Sequence, residues 1–251
     1  MTKQNFFTAS LALVTLLSGP RATAQTQEKQ IIRRNEAWVS INSTVWCSGK
    51  WGFITDLHMR RNHFFRDPDF YFARVGVDYR IAPSLSAAAG YAHTWQSPSV
   101  TGWKTFSNEN RLFEQLLYST RLAGTELTQR IRNEQRWQQI MINDKPSGQN
   151  KFSDRVRLLV SVTRPVFKDA WLPAPVISDE LCVQFGQQVV YNTFDQNRLF
   201  LGVKERITRD LSFDIGYMEV KQELSSGYQY DLNRTFRLFF YYVPGKKNRK
   251  S

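Results

Sequence analysis

The sequence predicts an all-β protein, a single antiparallel transmembrane β-barrel of about ten to twelve strands with short periplasmic turns and longer external loops. Three observations predict this fold. About eleven segments alternate apolar and polar residues over lengths that suit membrane strands. The connections between these segments are alternately short and long, and aromatic residues collect near the segment ends, as at the two interfaces of a bilayer.

The alternating segments follow one another from Ala37 to Val243 without a linker or a break in composition. In the third segment, Val75 and Val77 fall on one face, whereas Arg74 and Asp78 fall on the other. A period of two is expected of a strand with one apolar face. The predicted strands are 37–47, 50–60, 70–81, 85–95, 110–122, 125–137, 153–164, 176–186, 197–207, 211–221 and 232–243.

Bacterial single-chain barrels normally have an even number of strands. Twelve strands are therefore expected, with ten as the next choice, and a further strand could come from residues 28–36. About eleven segments have an apolar face and none is predicted to be a helix, which favours the barrel over a soluble β-sandwich. Alternation alone does not show which face of a strand contacts water.

The connections fall into two sets. Short turns are expected at 48–49, 82–84, 123–124 and 208–210, and longer polar loops at 61–69, 96–109, 138–152, 187–196 and 222–231. Short periplasmic turns and long external loops alternate in this way in outer-membrane barrels. The aromatic residues expected at the two interfaces are Trp38, Trp46, Trp51, Tyr79, Trp95, Trp137 and Tyr241.

The N-terminus resembles a secretory signal peptide. Lys3 precedes a short apolar run, 6–17, and Ala22-Thr23-Ala24 fits the small-x-small cleavage rule. The run is too short for a transmembrane helix, which needs about 20 residues, and the alternative is a buried N-terminal helix. The expected organisation is a signal peptide at 1–24, an N-terminal segment at 25–36, the barrel at 37–243 and a basic tail at 244–251. The predicted location is the outer membrane.

Composition narrows the function. The net charge is +12, and 22 of the 34 basic residues are arginine, spread along the chain. Arginine is preferred where cations are partly buried and paired with carboxylates, so a basic lumen or contact with anionic lipid explains the charge better than nucleic acid. The expected partners are outer-membrane lipid and lipopolysaccharide, the barrel-assembly machinery and a small solute, with no nucleic acid.

The sequence shows no motif for a metal or a cofactor, and neither is expected. Cys47 and Cys182 do not make a disulfide scaffold, although one bridge between them remains open. His58, His63 and His93 are scattered, without zinc-type spacing.

Segment 129–137 contains the densest charge pattern. Read as a strand, it places Arg130, Arg132, Glu134 and Arg136 on one side. Inside a closed barrel these groups would form a polar lumen in which arginines bind opposite carboxylates. The charged lumen candidates are Arg74, Asp78, Arg130, Arg132, Glu134, Arg136, Arg198, Lys204 and Arg206.

The same segment carries a family resemblance. Residues 129–136 resemble the Arg-x-Arg-x-Glu-x-Arg motif of an outer-membrane barrel family known as domain of unknown function 2490, and 194–199, 216–218 and 90–92 resemble its other motifs. The resemblance spans essentially the whole mature chain and implies a barrel without a known activity. One departure is the polar tail after Val243, because outer-membrane barrels usually end on an aromatic residue.

Three functional hypotheses follow. The first is a non-enzymatic barrel that is structural or that passes or binds small, anionic solutes. For this hypothesis the sequence leaves two alternatives, a lumen plugged by charged side chains and a conducting lumen. Wide aqueous channels need about 16 strands. The second is a barrel-embedded lipid hydrolase or acyltransferase, for which the spacing of a serine–histidine pair is missing. The third is a soluble periplasmic β-sandwich that binds a ligand.

Overall fold

In a computed structural model, which describes residues 28–47, 49–167 and 172–244, the chain forms a single closed barrel of eleven strands. The strands are β1 (Gln30–Trp46), β2 (Trp51–Asn62), β3 (Asp67–Ala82), β4 (Leu85–Gln96), β5 (Ser107–Leu122), β6 (Thr125–Ile142), β7 (Lys145–Thr163), β8 (Ala174–Phe185), β9 (Phe194–Arg206), β10 (Leu211–Glu223) and β11 (Gln229–Tyr242). The all-β barrel prediction is confirmed, and each predicted segment overlaps one strand. The predicted signal peptide and residues 245–251 of the tail lie outside the described residues.

The barrel closes through a parallel pair. β1 runs parallel to β11, from Gln30 opposite Gln229 to Ser43 opposite Tyr242, whereas all the other neighbours are antiparallel. In a series of alternating strands an odd number leaves the first and last strands pointing the same way, so they can pair only in parallel. The expectation of an even number was therefore wrong. Residues 30–36 form the first part of β1 rather than a separate strand.

The two ends of the barrel differ. At one end, here called the turn end, β1, β3, β5, β7 and β9 finish and the strands that follow them begin. The other end, here called the hairpin end, carries the connections 63–66, 97–106, 143–144, 186–193 and 224–228. The loop predicted at 138–152 is wrong, because β6 and β7 continue to a two-residue turn. Both turn residues, Asn143 and Asp144, have positive φ, of 50° and 60°, which matches the twist of a hairpin turn. The hairpin projects beyond its last pairings with β5 and β8.

Alternate side chains point into the lumen and away from it. The inward residues are mainly polar, charged or aromatic, whereas the outward residues form an apolar surface that includes Leu201, Leu57 and Phe53, which are 63%, 60% and 55% exposed. Trp38 and Tyr241, expected at the bilayer interfaces, instead point inward. No helix among the described residues is long and apolar enough to span a membrane.

Two pairs of glycines, Gly76–Gly90 and Gly202–Gly216, allow the rings of Phe113 and Phe200 to lie against the inner wall. Gly76 faces Gly90 across β3 and β4, and a Cβ on Gly90 would lie only 2.2 Å from the Val75 carbonyl oxygen. The ring of Phe113 covers both positions, with Cζ at 2.9 Å from a Cβ built on Gly76. Glycine in a strand often marks such a close approach. This packing fixes the ring over which two arginines of the lumen lie.

Candidate functional site

The lumen contains a buried cluster of arginines and carboxylates on β5 to β9, here called the arginine–carboxylate network. At most one-tenth of each side chain is exposed, except that of Arg136, which is 13% exposed. Its members are Glu109, Arg111, Glu134, Arg136, Arg155, Arg157, Glu180, Asp195 and Arg198.

Glu134 is the centre of this network. One carboxylate oxygen accepts hydrogen bonds from Nε and Nη2 of Arg155 at 2.9 and 2.5 Å, and the other accepts one from Nη1 of Arg157 at 2.8 Å. Arg155 also donates to Asp195 at 3.0 Å. Bonds between a guanidinium group and a carboxylate are the strongest hydrogen bonds in proteins, and paired in this way the charges can remain buried.

Glu180 and Glu109 extend the network to both sides. Glu180 accepts from Nη2 of Arg157 and from Nη1 of Arg198, both at 2.8 Å. Glu109 accepts from Nε of Arg136 at 2.9 Å and is also paired with Arg111. Because their partners lie on four different strands, these contacts hold the wall segments at fixed distances from one another.

Apolar side chains lie beside the network in the lumen. Phe200 and Val220 are 1% exposed, and Glu109 and Glu134 of the network are each 2% exposed. The guanidinium group of Arg198 lies 5.2 Å from the centre of the Trp38 ring on β1, and that of Arg111 lies 5.9 Å from the centre of the Phe70 ring on β3. Residues of the network and aromatic rings of other strands are therefore close to one another across this part of the lumen.

The other half of the lumen contains a cavity of about 520 Å³. Its lining reaches from Arg60, Phe70 and Arg111 to the turn end, where Lys204 and Glu126 stand at the rim with 37% and 38% of their side chains exposed. The size lies within the range of small-molecule sites, about 300–1,000 Å³. The cavity therefore reaches the turn end, and residues of the network form part of its wall.

Positive charge prevails around the cavity. Nine basic side chains line it against five carboxylates, and the difference creates a positive potential in a space of low dielectric. The basic residues are Arg60, Arg74, Arg111, Arg130, Arg132, Arg157, Arg198, Lys204 and Arg237, and the acidic residues are Asp56, Asp78, Glu126, Glu180 and Asp214.

Three of these residues, Arg74, Arg130 and Arg132, form what we call the arginine trio. Arg132 donates to the neutral Gln115 side chain at 2.6 and 3.0 Å, and its nearest carboxylate oxygen, on Glu134, is 3.7 Å away. Arg74 is paired with Asp56, and Arg130 donates to Glu180 at 2.5 Å. The Nε atoms of Arg74 and Arg130 are buried without a hydrogen-bond partner. Among the described residues, Arg132 is therefore the member of the trio that has no hydrogen bond to a carboxylate.

The lumen candidates from the sequence divide between these regions. Arg74, Asp78, Arg130, Arg132, Arg198 and Lys204 line the cavity; Glu134 and Arg136 lie in the network, to which Arg198 also belongs; and Arg206 is exposed at the turn end. The sequence prediction missed several charged residues of the lumen, namely Arg60, Glu109, Arg111, Arg155, Arg157, Glu180, Asp195 and Arg237. The alternation of apolar and polar residues in β7 could have identified two of them, because it places Arg155 and Arg157 on the polar face of that strand.

Other reactive groups lie apart from one another. His58 faces the cavity, whereas His93 is on the outer wall and contacts Tyr91, Asn108 and Asn110. Among hydrogen bonds of the described residues, neither histidine pairs with a serine hydroxyl. Cys47 and Cys182 are both free thiols, the first exposed and the second buried. Within the described ranges no group of three or more His, Cys, Asp or Glu side chains is placed to hold a metal ion.

Comparison with known proteins gave one finding. The family model described as "Protein of unknown function (DUF2490)" matches residues 35–231, which cover most of the barrel from β1 into β11. Searches of curated proteins and of solved structures gave no match.

Proposed function

The chain belongs to this family of proteins of unknown function, and from that premise we propose that it is an outer-membrane barrel whose lumen binds a small anion without conducting ions. The observation that carries the binding role is the cavity of about 520 Å³, which nine basic side chains and five carboxylates line. The proposal assigns the barrel no reaction.

The outer wall supports the membrane location. Large apolar side chains are exposed on most strands, among them Val75 on β3, Leu116 on β5, Leu158 on β7 and Tyr217 on β10. A soluble monomer rarely exposes a continuous apolar patch larger than a few hundred Å². A hydrocarbon layer would cover this belt, and lipid and lipopolysaccharide would be the molecules in contact with it.

The inner wall supports binding over conduction. The arginine–carboxylate network and the apolar groups opposite fill the lumen at the hairpin end, and barrels with far more strands are needed for a wide channel. Arg132 lines the cavity and has the neutral Gln115 side chain as its hydrogen-bond partner, so an anion that enters from the turn end would supply the negative charge that Arg132 lacks. With the turn end toward the periplasm, the anion would be a periplasmic solute.

Cysteine labelling tests the location and the orientation. Cys47 is an exposed thiol at the turn end, and Cys182 is buried. A membrane-impermeant maleimide should therefore label Cys47 only after the outer membrane is permeabilised. A Gln149→Cys change in a Cys47→Ser background places a thiol on the projecting hairpin, which should react in intact cells. The Cys47→Ser protein alone is the matched background.

Two results would overturn the proposal. One is recovery of the protein in the soluble fraction without detergent. The other is equal labelling of Cys47 and of the Gln149→Cys thiol in intact cells, which would remove the assigned orientation.

A further inference from the structure

We propose that the ligand of the cavity is an amphipathic organic anion, a carboxylate joined to a flat apolar body, rather than a small inorganic ion. This inference rests on the proposed anion-binding function and adds the chemical class of the ligand. It is drawn from how charged and aromatic side chains are distributed over the cavity wall.

The arginine trio provides the site for the carboxylate, centred on Arg132. Arg74 is paired with Asp56 and Arg130 with Glu180, whereas Arg132 is held by Gln115, a neutral partner. The Arg132 side chain is 3% exposed, so water screens its charge poorly. A carboxylate beside it would supply the negative charge that its two neighbours already have.

An aromatic wall begins directly beside the trio. The guanidinium groups of Arg74 and Arg132 lie 5.0 and 5.4 Å from the centre of the Phe113 ring, and Arg74 is also 5.8 Å from the Phe72 ring. His58 then meets Phe72 edge-on at 5.0 Å and Phe239 edge-on at 5.4 Å. The rings of Phe72, His58 and Phe239 all line the cavity.

This arrangement distinguishes two classes of ligand. An inorganic anion would contact the trio and leave the aromatic wall in contact with water. The apolar surface of that wall would then contribute no binding free energy. A flat apolar body would cover that wall, and aromatic rings bury a large area with defined edge and face contacts. The volume of the cavity leaves room for both parts of such a ligand.

The test compares three probes with the full mature chain refolded in lipid nanodiscs. The probes are 2-naphthoate, acetate and the uncharged 2-naphthalenemethanol, and equilibrium dialysis against empty nanodiscs corrects for partition into lipid. We expect 2-naphthoate to bind at least about tenfold more tightly than either of the other probes. The margin over acetate measures the aromatic wall, and the margin over the alcohol measures the trio.

Variants assign the effect to the two parts of the site. Arg132→Gln and Phe72→Leu should each weaken 2-naphthoate binding by about tenfold or more, and only Phe72→Leu should leave acetate binding unchanged. Arg234→Gln, which removes an exposed arginine from the outer wall, is the matched control and should change nothing. Migration of the unheated protein as a closed barrel on gels confirms that each variant is folded.

The outcomes separate this inference from the proposed function. Equal binding of acetate and 2-naphthoate would overturn the inference and leave an anion-binding lumen. Binding of the alcohol as tightly as 2-naphthoate, or no binding by any of the probes, would overturn both.

Discussion

The two halves of the lumen use the same side chain in opposite ways. Toward the hairpin end, Arg155 donates to the carboxylates of both Glu134 and Asp195, and the space around them is filled. Toward the turn end, Arg132 has an amide partner, its nearest carboxylate oxygen is 3.7 Å away, and a cavity lies beside it. Buried arginines are therefore structural where carboxylates match them, and they are candidates for binding where carboxylates are too few.

The largest expected difference is between two identical substitutions. Arg155→Gln should lower the free energy of unfolding by about 3–5 kcal/mol, because it leaves the buried carboxylate of Asp195 without its cation and that of Glu134 with Arg157 as its remaining hydrogen-bonded cation. Arg132→Gln should change it by less than about 1 kcal/mol, because it removes repulsion and leaves no carboxylate without its hydrogen-bonded partner. Urea unfolding of the refolded barrel in lipid measures both. Equal losses would remove the distinction between the two halves.

Added salt should also affect the two halves of the lumen differently, by a smaller amount of free energy. Between 0.1 and 1 M salt the screening length falls from about 10 to about 3 Å, but buried pairs are screened much less than exposed charges. The urea midpoint should therefore stay nearly constant, whereas 2-naphthoate should bind several-fold more weakly, on the order of 1 kcal/mol. A large shift of the midpoint with constant binding would show that the network is the wetter of the two regions.

The smallest expected effect lies outside the lumen. Asp144, at the tip of the projecting hairpin, accepts backbone hydrogen bonds from Thr105 at 2.8 Å and from Lys104 at 3.0 Å, and these bonds lower the pKa of its carboxyl group. Because the folded pKa is depressed, the tether is present above the unfolded value of about 3.9 and is lost as pH falls through the folded pKa.

Asp144→Ala should therefore increase trypsin cleavage after Lys104 at neutral pH without changing the urea midpoint. Gln149→Ala, on the same hairpin, is the control and should leave cleavage unchanged. In the wild-type protein the amide resonance of Thr105 should move only in acid, below about pH 4. Unchanged cleavage in Asp144→Ala would mean that the loop 97–106 is held by other contacts.

Local patterns were enough to place the strands and the faces of most of them, although the faces of 110–122 and 176–186 were left open. Arg74 and Asp78 alternate with Val75 and Val77, and the period of two fixes which residues share a side. The same local reasoning failed at 138–152, where Asn143-Asp144 supplied a hairpin signal that the polar flanks obscured. It allowed a strand at 28–36 but not its continuity with β1, because the strand depends on a partner about 200 residues later in the chain.

The sites themselves depend on information that no single strand carries. Glu134, Arg155 and Asp195 meet because the tilt and register of β6, β7 and β9 bring them to one height, and these quantities emerge only when the sheet closes. The separation of the lumen into a filled half and an open half has the same origin. A count of charges predicted a basic lumen, but only the pairing shows which arginines have carboxylates.

The most direct test of this account is the conductance of the refolded barrel in a planar bilayer, after unheated gels confirm that it is closed. The account predicts no steady current in the wild-type protein, because the arginine–carboxylate network and the apolar residues opposite it fill the lumen at the hairpin end. A steady, anion-preferring current that changes selectivity on Arg130→Gln or Arg132→Gln would contradict it, and would make the lumen a pathway rather than a binding site.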